Sequence, residues 1–183
     1  MGYEVALNKA WDELSQLTKD KQTAVKFLAD EYSVDFLNKK VLSLSCNVPA
    51  KDFSAILILH YLEQKIKGLP RVTGEWLTFR ELSGIEGYYP AFKKRSIDPI
   101  VRKYGSNPKG ILSAIEKLPA KKAEEAEMGI VVNAFEDVPV LVKVWGGDDE
   151  FGPDANIYFD RSVIKIFPTE DIVVLAGIVA SSI

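Results

Sequence analysis

The chain has 183 residues, 47% of them hydrophobic and 27% charged, with a formal net charge of −3 at pH 7. That balance suits one folded domain that buries its core without disulfide or metal staples, and it argues against wholesale attachment to nucleic acid or an anionic membrane. One cysteine and one histidine exclude an internal disulfide, a Cys/His zinc site and a chain-held iron–sulfur cluster.

The opening stretch, MGYEVALNKAWDEL, is charged from Glu4 and carries no apolar signal block; Ala6 stands where a myristoylation motif wants Ser or Thr. With an unpaired Cys46, the expectation is a soluble protein of the reducing cytoplasm. Tyr3, Leu7, Ala10, Trp11, Leu14 and Leu17 recur at three- and four-residue steps, which predicts an amphipathic helix over about residues 3–18. A second helix is expected from about Lys21 to Glu31. SVDFLNKKVLSLSCNV predicts two short strands around an Asn38-Lys39-Lys40 turn, with Cys46 buried at the end of the second.

FSAILILHYL, residues 53–62, is almost continuously apolar and predicts a buried helix bounded by Pro49 and by Gly68 and Pro70. His60 on it is expected to be a partly buried, hydrogen-bonded histidine. GEWLTFREL, residues 74–82, predicts a short extended segment, in which Arg80 stands between Glu75 and Glu81 as an ion-pair centre or the wall of a site. Three short helices follow: Tyr88 to Ile97, one capped by Asp98-Pro99 and closed by Gly105, and one opened by Asn107-Pro108 and ending near Leu118.

KKAEEAE, residues 121–127, is expected to be an exposed connection. IVVNAF, PVLVKVW, NIYF and VIKIF then predict four β pieces in hairpins, and PTED a helix start capped by Thr169. The apolar run IVVLAGIVASSI is too short to span a bilayer and suits a buried element. The fold expected is α+β: residues 1–183 as a single domain, with a helical N-terminal two thirds packed on a C-terminal antiparallel sheet of three or four strands.

Two charged stretches are candidate sites. WGGDDEFGPDANIYFDRS, residues 145–162, gathers Asp148, Asp149, Glu150, Asp154 and Asp160, hard oxygen ligands suited to Ca²⁺ or Mg²⁺. The spacing is not that of an EF-hand: counting from Asp148, Gly152, Pro153 and Phe159 stand where Asp or Asn, Gly and Glu are required. The structural reading is a solvated hairpin tip pinned by Trp145 and Phe151; the functional reading is a ligand site at Trp145, Asp148, Asp149 and Glu150, or a metal held by Asp148, Asp149, Glu150 and Asp154. The second stretch, FKKRSIDPIVRKYGSNPKG, concentrates Lys93, Lys94, Arg95, Arg102, Lys103 and Lys109 beside the expected helix starts at Pro99 and Pro108. It reads as an anion pocket led by Lys93 and Arg95, as a solvated helix face, or as the partner of the acidic loop.

GEWLTFRELSG, GYYPAFKKRSIDP, WGGDDEF, IYFD and FPTED, in this order, resemble a bacterial and archaeal family catalogued as a domain of unknown function, number three-seven-eight-six. Some relatives resemble fusions to a cysteine-rich iron–sulfur segment in anaerobes that use corrinoid and iron–sulfur enzymes. This chain lacks those cysteines. The resemblance thus implies an accessory or partner of such metabolism and carries no catalytic residue over. Cofactor and enzymatic status stay open.

Three functions stand together at this point. One is a non-catalytic binding or accessory protein taking a small anionic molecule or an anaerobic redox protein. The second is a divalent-metal enzyme acting on an anionic substrate through the 148–160 loop. The third is a structural interaction module. A homodimer is among the partners considered, and neither nucleic acid nor a membrane is expected as a partner.

Overall fold

The structure, a computed structural model, describes residues 2–83, 85, 87–124 and 128–183. The elements run α1 (Gly2–Leu17), β1 (Gln22–Phe27), β2 (Asp30–Asp35), β3 (Lys40–Ser43), β4 (Val48–Pro49), α2 (Asp52–Lys67), β5 (Trp76–Thr78), α3 (Tyr89–Phe92), α4 (Asp98–Tyr104), β6 (Ala120–Lys122), β7 (Gly129–Phe135), β8 (Val138–Trp145), β9 (Asp154–Asp160) and α5 (Thr169–Ser182). The strands form two sheets, a four-stranded one of order β1-β2-β3-β4 and a five-stranded one of order β5-β9-β8-β7-β6. All strand pairs are antiparallel.

This overturns the expected division into a helical front and a single C-terminal sheet of three or four strands. Helices and strands alternate along the chain, and the first sheet lies wholly within the part expected to be mostly helical. The error begins at residues 21–31, expected as a helix and found as the β1–β2 hairpin. Val25 and Phe27 point inward while Ala24 and Lys26 are exposed, the period of two that a strand requires. The helix-forming residues of this stretch yield to burial of that alternating face, since propensity is a weak preference that tertiary contacts override.

The other early expectations fare better. Helix α1 forms where its apolar stripe predicts, burying Ala10, Trp11 and Leu14 against α2. Trp11 meets Phe36 edge-on at 6.4 Å. β2 and β3 turn at Lys39, which takes a φ of 50°. Helix α2 has Asp52 in its first turn and Lys65 and Lys67 in its last, matching the helix dipole. Gly68 ends it at a φ of 99°, a conformation that glycine adopts without a Cβ clash.

The middle helices differ in kind. Asp98 is itself helical, at φ −58° and ψ −37°, and not a cap. A π-type turn, Lys93–Ile97, joins α3 and α4 without a break, with the Asp98 N–H donating to the Lys93 carbonyl. Pro99 explains the widening: its ring would crowd the carbonyl four residues earlier, and it has no N–H to donate. Pro108–Glu116 forms as 3-10 helix, with Asn107 at its N-cap position making no side-chain cap bond. VIKIF is no strand; Arg161–Lys165 is a 3-10 turn. Pro168, not Thr169, is the residue at the α5 cap position, and the Thr169 hydroxyl donates to the Ser83 carbonyl instead. Cys46 is exposed in the β3–β4 turn, not buried. Of the expected connection 121–127, Lys121 and Lys122 belong to β6, and residues 125–127 lie outside the described residues.

Three features place the candidate site. One face of the five-stranded sheet, with Ile130, Val132, Val140, Val142, Ile157 and Phe159, is buried, and α4 and α5 lie against its strands. Phe135, at the end of β7, is stacked between Phe27 of β1 (centroids 4.4 Å) and Tyr61 of α2 (4.3 Å). The Leu28 N–H donates to the Ala134 carbonyl at 2.8 Å, tying the tip of the β1–β2 hairpin to β7. The buried residues of both sheets and of α1, α2, α4 and α5 form one cluster. No helix among the described residues is long and apolar enough to cross a membrane.

His60 is partly buried, and its Nδ1 donates to Asp171 Oδ2 at 2.5 Å, joining α2 to α5. That hydrogen bond holds the His60 pKa above its ordinary value against the opposing effect of burial, with Glu63 and Glu13 adding to the rise. A histidine whose folded pKa is raised stabilises fully below its unfolded pKa and loses that contribution as pH climbs through the folded pKa. His60→Gln is therefore expected to lower the melting temperature most at pH 6, corresponding to about 1.5–3 kcal/mol for a charge-assisted bond, and less at pH 9; melts at the two pH values check it. Phe135→Ala is expected to cost about 3–5 kcal/mol, read from urea midpoints.

Candidate functional site

The acidic stretch is a hairpin connection, as expected: β8 and β9 pair up to Trp145 opposite Asp154. Its order comes from within. The Asp148 carboxylate accepts from the Glu150 N–H at 2.9 Å and the Phe151 N–H at 2.7 Å, and the Asp148 N–H donates to the Phe151 carbonyl. Those hydrogen bonds hold the Asp148 pKa below the usual carboxylate range. A Cβ on Gly147 would meet Pro153 at 3.1 Å, so a side chain there would need its neighbours to give by a few tenths of an ångström. The aromatic anchors are not as expected: Trp145 is 45% exposed and Phe151 70%, so neither pins the loop to the core.

Asp160 stands apart from the other carboxylates. It is buried, and it accepts from the Thr73 N–H and hydroxyl, the Gly74 N–H at 2.7 Å and the Ser162 N–H. Burial pushes its pKa up, but the hydrogen bonds from Ser162, Thr73 and Gly74 outweigh that and hold it low. Its chemistry is structural: it clamps the loop before β5 onto the end of β9. Among the described residues no three His, Cys, Asp or Glu side chains come together as a metal-holding group. Asp149, Glu150 and Asp154 are exposed on the connection.

The polar residues of GEWLTFREL separate. Glu75 pairs with Arg161 at 2.5 Å, the Thr78 N–H and hydroxyl donate to Glu81, and the Arg80 guanidinium lies over the Tyr89 ring at 4.2 Å. Arg80 is thus not the ion-pair centre between two glutamates. Gly84 of the longer motif lies outside the described residues. Lys93, Lys94 and Arg95 are exposed on the π-type turn. The helix start expected at Pro99, the anion-binding half of that reading, is absent because the helix runs through it. The acidic connection does touch the basic stretch, since a Cβ on Gly105 would meet Pro153 and one on Gly146 would meet Pro108. No ion pair joins them among the described residues.

The concave site lies elsewhere, on the second face of the five-stranded sheet. A groove of about 1020 Å³ runs over Val131, Asn133, Pro139, Leu141 and Lys143, between Lys121 and Lys122 on one side and Val72 and Trp76 on the other. The β1–β2 hairpin (Ala24, Lys26, Leu28, Glu31) and the Tyr61–Lys65 turn of α2 wall its end. Register fixes the floor: Lys121, Val131, Leu141 and Tyr158 stand side by side across four strands. Lys143 Nζ reaches over the Tyr158 ring at 5.2 Å. Lys65 pairs with Glu136 at 2.6 Å. Lys121 and Lys143 form no ion pair among the described residues.

Sequence reasoning missed this groove. The signal present was PVLVKVW, whose Pro139, Leu141 and Lys143 alternate with Val140, Val142 and Val144 and so mark a second apolar face interrupted by one cation. What sequence could not supply was β6 and the β1–β2 hairpin, which turn that face into a concavity.

The chain belongs to the family described as Domain of unknown function (DUF3786), which it matches over residues 11–182. No curated protein and no solved structure matches it.

Asp160→Ala leaves several buried donors without an acceptor and is expected to destabilise the fold by about 3 kcal/mol or more. A carboxylate whose folded pKa is depressed stabilises above its unfolded pKa and loses that effect as pH falls through the folded value. The difference between wild type and variant in urea midpoint should therefore be full at pH 7 and shrink below about pH 4.

Proposed function

We propose that this member of the family is a non-catalytic binding protein whose site is the groove on the open face of the five-stranded sheet, and whose ligand is a small anionic molecule with an apolar body. The carrying observation is the pair Lys121 and Lys143, two cations beside a floor of Val131 and Leu141, with Tyr158 next in the same row, neither in an ion pair among the described residues. An ammonium group over an apolar surface favours an anion there more than the same group in open water, because the low-dielectric floor weakens screening. The volume is at the upper end of the range for small-molecule sites, and the lining mixes apolar side chains with charged ones, which suits a ligand that is itself part apolar and part charged. The proposal keeps the small anionic ligand expected from sequence and moves it away from Lys93 and Arg95. A tie to corrinoid or iron–sulfur metabolism rests on the resemblance to relatives alone and enters through the choice of test compounds.

The test is a melting screen with nucleotides, a corrinoid, aromatic carboxylates and fatty acids. A ligand at a hundred times its Kd raises the melting temperature by roughly 5–10 °C for a chain of this size. The shift should vanish in Val131→Glu, which places a carboxylate on the floor, and persist in Lys93→Glu/Arg95→Glu. Loss in the second variant and retention in the first would return the site to the basic stretch.

A further inference from the structure

The groove is polarised along its length. On the open face, β8 reads Lys143, Leu141 and Pro139 in alternate positions and ends at the Glu136-Asp137 turn into β7. Lys121 stands on β6 opposite Val131, and thus in the row of Leu141. The next row along the strands holds Asn133 opposite Pro139, with Trp76 opposite Asp160 on the far strand pair. Asp160 faces that row with its carboxylate occupied by Thr73 and Gly74. Beyond it, the turn places the exposed carboxylates of Glu136 and Asp137, and Asp137 is held there at a φ of 58°. Lys121, Lys122 and Lys143 thus outnumber the one carboxylate, Glu124, at one end, apolar surface lies in the middle, and Glu31, Glu136 and Asp137 outnumber Lys26 and Lys65 at the other. At about 3.3 Å per residue, Lys143 and Pro139 are roughly 13 Å apart along β8.

Resting on the proposed function above, we infer that the groove takes an elongated amphiphilic anion in one orientation. Its anionic head lies between Lys121 and Lys143, and its apolar tail runs over Leu141 and Pro139 to Trp76. The reverse orientation brings the head beside Glu136 and Asp137, where like charges repel. It also leaves the two lysines facing apolar atoms that cannot replace their water. Of the two lysines at that end, Lys65 is already paired with Glu136, and Lys26 stands opposite Glu31 across the β1–β2 hairpin.

Two isomeric probes read the orientation: dodecanoate brominated at its terminal carbon and dodecanoate brominated beside the carboxylate. Bromine quenches a tryptophan that it touches. The Trp145→Phe variant leaves Trp76 at the groove and Trp11 buried against α2. Both isomers are expected to raise its melting temperature, and the tail-brominated one to quench severalfold more at saturation, an excess that disappears when Trp76→Phe is added. Lys121→Gln/Lys143→Gln should weaken binding of both by about tenfold or more, while Lys9→Gln, on the exposed face of α1 away from the groove, leaves it unchanged. Equal quenching, or stronger quenching by the head-brominated isomer, overturns the orientation while the groove keeps its ligand class. If neither isomer shifts the melting temperature or quenches, and no other anion does so in the screen, the groove reading itself fails and the orientation with it.

Discussion

The stack of Phe27, Phe135 and Tyr61 is the contact on which the rest of the arrangement hangs. Each ring comes from a different unit: the first sheet, the second sheet and α2. Centroid separations near 4.4 Å place the rings in close offset contact, which adds attraction beyond the area they bury. Phe167 extends the contact at 6.0 Å toward the segment leading into α5. Without this stack the β1–β2 hairpin has one backbone hydrogen bond, Leu28 to Ala134, to hold its tip on β7. The hairpin is also the wall of the groove. Core packing and the shape of the candidate site therefore share the same three side chains.

The charged groups divide by whether the protein uses them itself. Asp160 and Asp148 satisfy backbone N–H groups, and their low pKa values follow from those bonds. His60 and Asp171 satisfy each other across two helices. Glu75 and Arg161 form an exposed pair, the sort that contributes little to stability. Lys121 and Lys143 differ because they border a concave sheet face and form no ion pair among the described residues. A surface cation in water is unremarkable in energy, whereas one beside a sheet face of valine, leucine and tyrosine is positioned to add to the binding of an anion. This distinction moves attention from the most conspicuous charge in the sequence to a modest pair of lysines.

How much was legible depended on whether the signal was local. The apolar stripe of α1, the continuous run of α2, the β8–β9 hairpin with its acidic connection, and the helical nature of the C-terminal run could all be read from short-range pattern. Residues 21–31 could not, because their helix-favouring composition competes with an alternation that matters only once Val25 and Phe27 have a core to face. The helix start expected at Asp98-Pro99 failed for a related reason: the local signal was real, but a π-type turn absorbed the proline and let the helix continue. Trp145 and Phe151 were expected to anchor a loop that is instead ordered by Asp148 and its own backbone. The groove was invisible, since its floor and its wall lie about a hundred residues apart along the chain.

By itself, then, the sequence determined the kinds of local element in its most periodic stretches and membership of the family. It did so because hydrophobic period, composition and ordered motifs are properties of neighbours along the chain. Only the tertiary structure decided that strands are shared between two sheets, that Asp160 is a clamp, and that Lys121 and Lys143 border one concave face. Those outcomes depend on burial and on cross-strand register, and both are set by residues that meet only after the chain has folded.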